Sequence, residues 1–563
     1  MKRTVLLAML AACSFSQAQI SMTMYGRVGG STPGGAATWT TVQSPFIDGN
    51  AKVGFLGVAS VPIGGSAVYY DNTIVFDSPS AGIGSVGEPQ IGISNTGGYI
   101  VSPSVSGADA AFSNGVTLLK DGDPAPLVPG FFNSFNSRVQ MANNGVSSWV
   151  AGWSATAGGS TLGRIFYFHN PIGGVFTSPI RGGDPLDGDV VSNNGIQFDY
   201  DISPNGARAV NLIQVGALAT IRLVKDFSTV VARVGDIAIG GEAWQNWRDP
   251  RINNSGDLVT AGDTNGATTT DDFVAVGSTI VLKGSDVVPG YGALTNLTSR
   301  SVAVANNGRF VSVWGSGTSP TSTTVLLTST LANPTVHHAI LKKGDQVDVT
   351  GDTVADFQVD EIRNILGQAV QLDDNNRVYL AVKLQPIGGG ATFDAVVSMS
   401  ALPPNPTVTG TVDFGQLGFG PYNTGANLPS SLSVSFRDSG NTEIATGSAT
   451  YNPVTGAFSA SVPGSVTGAY RVSFKLGFWL RKTMPNPADP AAAFGDYNFG
   501  TVAPLVGDSD DDNEVTNFDY SLWAAANGNS VTANTDNDFD GDGEITNFDY
   551  SLWAANNGAL GDN

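Results

Sequence analysis

From Gln19 to about Ala401 one phrase returns seven times: an apolar residue, a polar turn rich in Asn and Gly, then a run of apolar and small residues. The copies are Ile47-DGNAKVGFLG, Ile93-SNTGGYIVSP, Met141-ANNGVSSWVAGW, Ile202-SPNGARAVNLI, Ile252-NNSGDLVTAGD, Val304-ANNGRFVSVWG and Leu372-DDNNRVYLAVK. Their starts lie 46, 48, 61, 50, 52 and 68 residues apart. A unit of this length has too little apolar surface to fold alone, so copies must stack and bury one another's faces. One repeat domain over residues 19–401 is predicted.

A second marker follows six of the starts, in Val75-FDSPSAGIG, Leu119-KDGDPAPLVPG, Ile180-RGGDPLDG, Ala232-RVGDIAIGG, Leu282-KGSDVVPG and Leu341-KKGDQVDVTG. Two markers in constant order imply one repeated hairpin-built unit, with Gly97, Gly145, Gly206, Gly256 and Gly308 where the turn needs a left-handed backbone. Ala51 and Asn376 stand there in the outer copies, and the strain on Ala predicts a different turn in the first. The period is near that of four-stranded propeller blades, so a seven-bladed β-propeller is favoured, with six blades or an open solenoid as the alternative. The seventh copy lacks the second marker, which predicts ring closure by residues from about Ser21 to Pro45. The repeats resemble the Asn-Gly hairpin repeats of exported bacterial propeller-like proteins, a likeness that implies no activity.

The rest of the composition agrees with a mainly β chain: Gly makes up 71 of 563 residues, charges are few, and Val, Thr, Ser, Asn and Asp abound. Met1-Lys2-Arg3, the apolar run Thr4 to Ala12 and Ser16-Gln17-Ala18 form a secretory signal over residues 1–18, cut after Ala18. Leu10-Ala11-Ala12-Cys13 offers a competing lipobox, in which Cys13 anchors the protein to a membrane. Cys13 is the sole cysteine, so a chain cut after Ala18 has neither disulfides nor thiol chemistry. No later segment has the length of apolar sequence that a spanning helix needs. The expected location is extracellular or the cell surface.

Pro403-Pro404-Asn405-Pro406 reads as a stiff linker over residues 402–406. Beyond it, Val408-TGTVDFGQL, Leu432-SVSFRDSG, Glu443-IATGSATYN, Ala457-FSASVPG and Tyr470-RVSFKLGFWLRK alternate apolar and polar residues, which predicts a small β-sandwich over 407–506. It resembles the carboxypeptidase-regulatory-like domains found beside bacterial dockerins.

The most specific chemistry lies in the last segment, 507–563. Of a formal net charge of −21, the residues from Asp508 onward hold 13 acids and no Lys or Arg. Such crowding needs a cation or leaves the chain unfolded, and it repels nucleic acid. Asp508-SDDDNEVTNFDYSLWAAANG and Asp538-FDGDGEITNFDYSLWAANNG repeat almost letter for letter. A calcium loop takes oxygen ligands at positions 1, 3, 5, 7, 9 and 12. Positions 1, 3, 5 and 12 are Asp508, Asp510, Asp512 and Asp519, then Asp538, Asp540, Asp542 and Asp549. Position 7 offers the carbonyls of Glu514 and Glu544, and position 9 has Thr516 and Thr546. Two Ca²⁺ ions are predicted. Gly543 suits the sharp turn at position 6 better than Asn513, so the second loop should bind more tightly. Val515, Phe518 and Leu522, with Ile545, Phe548 and Leu552, are expected to form an apolar stripe on two helices that end at Gly528 and Gly558.

This pair resembles a type I dockerin, in which two loop–helix units bind a cohesin on another protein. The resemblance implies a short α-helical attachment module. Asn517-Phe518 and Asn547-Phe548 depart from the residues that dockerins usually present to cohesin, which leaves a cohesin-like partner, docking on the chain's own sandwich through Trp523 or Trp553, and a purely structural cap as the readings.

His169, His337 and His338 show no zinc spacing, and no nucleophile elbow or phosphate loop occurs. The Gly-Asp pairs at Asp123, Asp184, Asp236 and Asp345 read as turn chemistry, and Trp149, Trp153, Trp244, Trp247 and Trp314 as core. The reading is a non-catalytic exported binding or cell-surface assembly protein whose propeller presents a surface to a glycan or protein ligand. The alternative is a dockerin-bearing polysaccharide-degrading hydrolase with its carboxylates in the propeller.

Overall fold

The computed structural model describes residues 20–562 apart from 83–85, 106–107, 134–137, 240, 317–321, 353, 364–369, 404–406, 413–430, 453–455, 464–465, 467–468, 476, 493–496 and 533–536. The signal segment with Cys13, and most of the linker, lie outside the described residues. The chain divides into two compact units, one ending at Pro403 and one starting at Pro404. The predicted boundary near 506 falls inside the second. No helix among the described residues is long and apolar enough to cross a membrane.

The first unit is a propeller-like arrangement of antiparallel sheets. Among its described residues there are seven sheets of four to seven strands and one two-stranded ribbon. Their innermost strands are β1 (Trp39–Ile47), β2 (Val86–Ile93), β3 (Val139–Met141), β4 (Asp189–Ile202), β5 (Glu242–Ile252), β6 (Thr298–Val304) and β7 (Val370–Leu372). Each of the seven phrases is the hairpin leaving one of these strands, closed by the pairs Ile47↔Val53, Ile93↔Tyr99, Met141↔Ser147, Ile202↔Ala209, Ile252↔Leu258, Val304↔Phe310 and Leu372↔Val378. The five predicted glycines all have positive φ. Ala51, at φ 59°, and Asn376, at φ 59°, adopt the same turn. The first copy therefore does not turn differently; it accepts the strain.

β1 packs on β2, β2 on β3, the third sheet on β4, β4 on β5, β5 on β6, β6 on β7, and β7 back on β1. The chain's start closes this cycle: Thr23–Arg27 pairs antiparallel with Phe393–Ser400, and Ile20–Ser21 lies parallel to Gln346–Asp348. Closure uses less chain than the predicted Ser21 to Pro45, because Trp39–Ile47 pairs forward with Val53–Ala59 as the first sheet's inner strand. Apolar cores form between neighbouring sheets. Trp149 shares a core with Ile100 and Ala111 of the preceding sheet, and Trp314 with Val259 and Val274. All five tryptophans singled out from the sequence are buried or half-buried in this packing.

In the second unit the predicted sandwich is one hydrogen-bonded path of seven strands, with Thr407–Val412 and Tyr497–Val502 pairing in parallel at one end. The sheet folds over on itself. Phe458 and Phe474 have ring centroids 6.0 Å apart, although the strands Glu443–Tyr451 and Ser431–Arg437 lie between theirs. The expected long strand from Tyr470 stops at Phe474, and after the left-handed turn at Gly477 (φ 48°) Phe478, Trp479 and Leu480 enter the core. Two helices follow, α1 (Asn517–Ala526) and α2 (Asn547–Asn556).

Candidate metal centre

Each acidic loop wraps back on its first aspartate. Asn513 N–H and Gly543 N–H donate to Oδ2 of Asp508 and Asp538, both at 3.0 Å. Asn513 (φ 71°) and Gly543 (φ 88°) make the sharp turn in the left-handed region. The last aspartate ties the loop's two ends together. Asp519 Oδ1 accepts Ser509 N–H at 2.7 Å and Asp510 N–H at 3.2 Å, while Oδ2 accepts Thr516 N–H at 2.6 Å. Asp549 does the same with Phe539, Asp540 and Thr546.

These contacts also start the helices. Thr516 and Thr546 are N-caps whose hydroxyls accept Phe518 N–H and Phe548 N–H at 3.1 Å, and the reciprocal bonds of Asp519 and Asp549 complete capping boxes. The Thr-x-x-Asp spacing was readable in the sequence as this signal. The threonine hydroxyls placed at position 9 as ligands are thus engaged as caps.

Carboxylate oxygens of Asp508, Asp510 and Asp519 lie within 4.8 Å of one another in the first loop, as do those of Asp538, Asp540 and Asp542 in the second. Asp512 and Asp549 fall outside these close groups. Asp508, Asp519, Asp538 and Asp549 are buried. Burial, reinforced by neighbouring carboxylates, raises the pKa of Asp510 and brings that of Asp540 to about 7. Burial likewise raises those of Asp508 and Asp549. The buried Asp508 Oδ1 has no protein hydrogen-bond partner. An orphaned oxygen within a group of oxygen donors fits a hard divalent cation. The Glu514 and Glu544 backbones sit in short bridges to Leu560 and Ser530.

The two loop–helix halves are reciprocal. Trp523 Nε1–H donates to Thr546 O at 3.2 Å, and Trp553 Nε1–H to Thr516 O at 2.9 Å. Val515, just before α1, and Asp519 and Trp523 on it are buried, as are Ile545, just before α2, and Asp549, Leu552 and Trp553 on it. The predicted stripe needs correcting: Phe518 is 60% exposed and Phe548 61%. Asp at N3, held inward by the capping box, rotates each Phe to the outside.

Both tryptophans share one core with the β part of this unit. Phe478 lies 5.4 Å from the Phe539 ring, and its carbonyl accepts the N–H groups of Gly507 and Asp508 at 3.1 Å. Arg481 N–H donates to Asn513 Oδ1 at 2.7 Å, and Asp562 Oδ2 accepts Thr483 N–H at 2.8 Å. The acidic segment is thereby built onto its own β neighbour.

In the first unit, the ends of the inner strands and six of the seven turns line a cavity of about 480 Å³, the second copy contributing Ile91, Gly92 and Ile93 ahead of its turn. Hydrogen bonds run from turn to turn. Asn143 N–H reaches Pro204 O at 2.7 Å, Asn205 N–H reaches Asn254 Oδ1 at 3.0 Å, Asn254 N–H reaches Asn306 Oδ1 at 2.8 Å, and Asn306 N–H reaches Asp374 Oδ1 at 2.6 Å. Beside it, Asp249 is buried at φ 44°, with Arg138 and Arg251 on Oδ1 at 3.1 and 2.9 Å and Ser301 Oγ–H donating to Oδ2 at 2.6 Å. Sequence reading missed this network, which joins the third, fifth and sixth sheets; no local pattern marks it.

Of the Gly-Asp pairs, Asp123, Asp184 and Asp345 are turn acceptors as expected, taking N–H bonds from Lys120, Arg181 and Lys342 at 2.8–2.9 Å, while the Asp236 carboxylate pairs with the Arg233 guanidinium at 3.5 Å; Asp286, in a further copy of the marker, accepts Lys283 N–H at 2.7 Å. Among the histidines, His337 Nε2 lies 3.1 Å from Val281 O, and His169 is buried beside Phe176.

No family model matches the chain, and no curated protein matches it. Among solved structures, an interface mutant of a type II cohesin–X-dockerin complex from Acetivibrio cellulolyticus is similar over 28% of this chain and 97% of that one, at 19% identity and TM-score 0.21. A protein of unknown function from Dyadobacter fermentans is similar over 68% and 98%, at 11% identity and TM-score 0.30. A polysaccharide lyase bound to an ulvan fragment is similar over 62% and 96%, at 12% identity and TM-score 0.28. At these scores the likenesses carry no weight for function.

Proposed function

We propose that this chain is an exported, non-catalytic binding or surface-assembly protein whose acidic C-terminal segment holds two calcium ions and serves as a dockerin-like module. The observation carrying this reading is the convergence of three carboxylates in each loop, with Asp508 Oδ1 buried and unpartnered. Asp508, Asp510, Asp512, Asp519, the Glu514 carbonyl and Thr516 would hold one ion; Asp538, Asp540, Asp542, Asp549, the Glu544 carbonyl and Thr546 would hold the other. Calcium supplies the positive charge the clustered carboxylates lack. Asp519 and Asp549 also hold the loop ends together and cap the helices.

Docking on the chain's own β neighbour is supported by the shared core and the backbone bonds through Phe478. The outward Phe518 and Phe548 leave a symmetric aromatic face for a cohesin-like partner. We read the first unit as a seven-bladed propeller closed by the Thr23–Arg27 strand, presenting a ligand surface. Calorimetry on the full chain tests the central claim. Two Ca²⁺ per chain are expected, falling to one in each of Asp508→Asn and Asp538→Asn; no calcium uptake by the wild type would sink it.

A further inference from the structure

Lys475 follows the strand Arg471–Phe474 and reaches the first loop. Its ammonium lies 2.9 Å from Asp508 Oδ2 and also pairs with Asp511. The side chains of Lys475 and Asp508 are 14% and 0% exposed, so this pair is screened far less than a surface one. The second loop lacks part of the arrangement, because Gly541 stands where the first has Asp511.

Asp508 Oδ2 is thus shared by the Lys475 ammonium and the Asn513 N–H, leaving the buried Oδ1 for a cation. A divalent ion held there sits within a few ångströms of a fixed positive charge. We propose that Lys475 is a built-in competitor for the first loop's metal, so that the second loop fills before the first. This rests on the calcium reading above. Repulsion at that range, softened because the lysine stem can swing toward water, lowers first-loop affinity by about tenfold.

The test is Ca²⁺ titration of the full chain, followed by calorimetry and tryptophan fluorescence. Trp553 bonds the first loop at Thr516 and Trp523 the second at Thr546, so both loops have a reporter. Wild type should show two separated binding events. In Lys475→Met the weaker event should tighten by about tenfold while the stronger one holds, and Lys475→Arg should behave as wild type. Lys475→Gln, which keeps a polar tip without the charge, should tighten as well and guards against misfolding of the Met variant. A first-loop affinity unchanged or weakened in a folded Met or Gln variant overturns the proposal. A wild type that takes up no calcium instead defeats the reading beneath it.

Discussion

In the first unit Asp48 gives Oδ1 to the N–H groups of Asn50 and Lys52, both at 2.8 Å, and Oδ2 to the Tyr70 hydroxyl. In the second unit Asp508 gives Oδ2 to Asn513 and Lys475 and keeps a buried Oδ1 with no protein donor. Both residues open a tight turn. The first is completed by the fold, as is Asp373, which accepts Asn375 and Arg377 N–H groups and the Tyr379 hydroxyl. The second lies among other carboxylates. A turn aspartate is therefore structural when donors surround it and becomes a candidate ligand when further acceptors do. The same reasoning covers Asp249, whose burial is made tolerable by two arginines and a serine.

If that contrast is right, removing a carboxylate should hurt the first unit and removing an ion should hurt the second. Asp249→Ala leaves Arg138 and Arg251 without their shared partner and should cost the first unit about 3–5 kcal/mol in urea unfolding. A loss under about 1 kcal/mol would show that the network contributes little. Stripping calcium with EGTA should lower the second unit's stability by about 4 kcal/mol per ion, about 8 kcal/mol for two, relative to calcium at a thousandfold over each dissociation constant, with the first unit's transition unmoved. Equal shifts in both transitions would erase the distinction.

A smaller effect separates strain from charge. Ala51→Gly relieves a left-handed alanine and should stabilise the first unit by about 1 kcal/mol, while Gly308→Ala should cost a similar amount. Thermal melts of the two variants would read the opposite signs.

The subtlest effect is on pH. In EGTA, burial and then the carboxylates of Asp549, Asp542 and Asp538 hold Asp540 near 7, above its ordinary value of 3.8. A carboxyl raised in the fold favours the folded state at low pH and loses that advantage as pH climbs from about 4 through about 7. The ion-free second unit should therefore melt lower at pH 7 than at pH 5, and saturating calcium should remove the trend. A calcium-free melting temperature that rises over this range would contradict the geometry of the second loop.

Much of this was readable in one dimension because turns are local. The seven hairpins and their left-handed residues sit where the repeated phrase puts them, since a tight turn depends on a few consecutive residues. The acidic ligand spacing and the helix starts at Thr516 and Thr546 are local for the same reason. The outward turn of Phe518 and Phe548 was not. Both satisfy an apolar spacing, but Asp519 and Asp549 are pulled inward by backbone N–H groups and set the rotation of each helix.

Sequence alone thus determined the repeat, the turn chemistry and the clustering of acids, all set by neighbours along the chain. Tertiary structure decided which distant strand closes the cycle, that Arg138 and Asp249 meet across 111 residues, and that Lys475 reaches the first acidic loop. Those pairings depend on which segments the closed packing of sheets brings together, and a side chain's charge does not encode its partner's position along the chain.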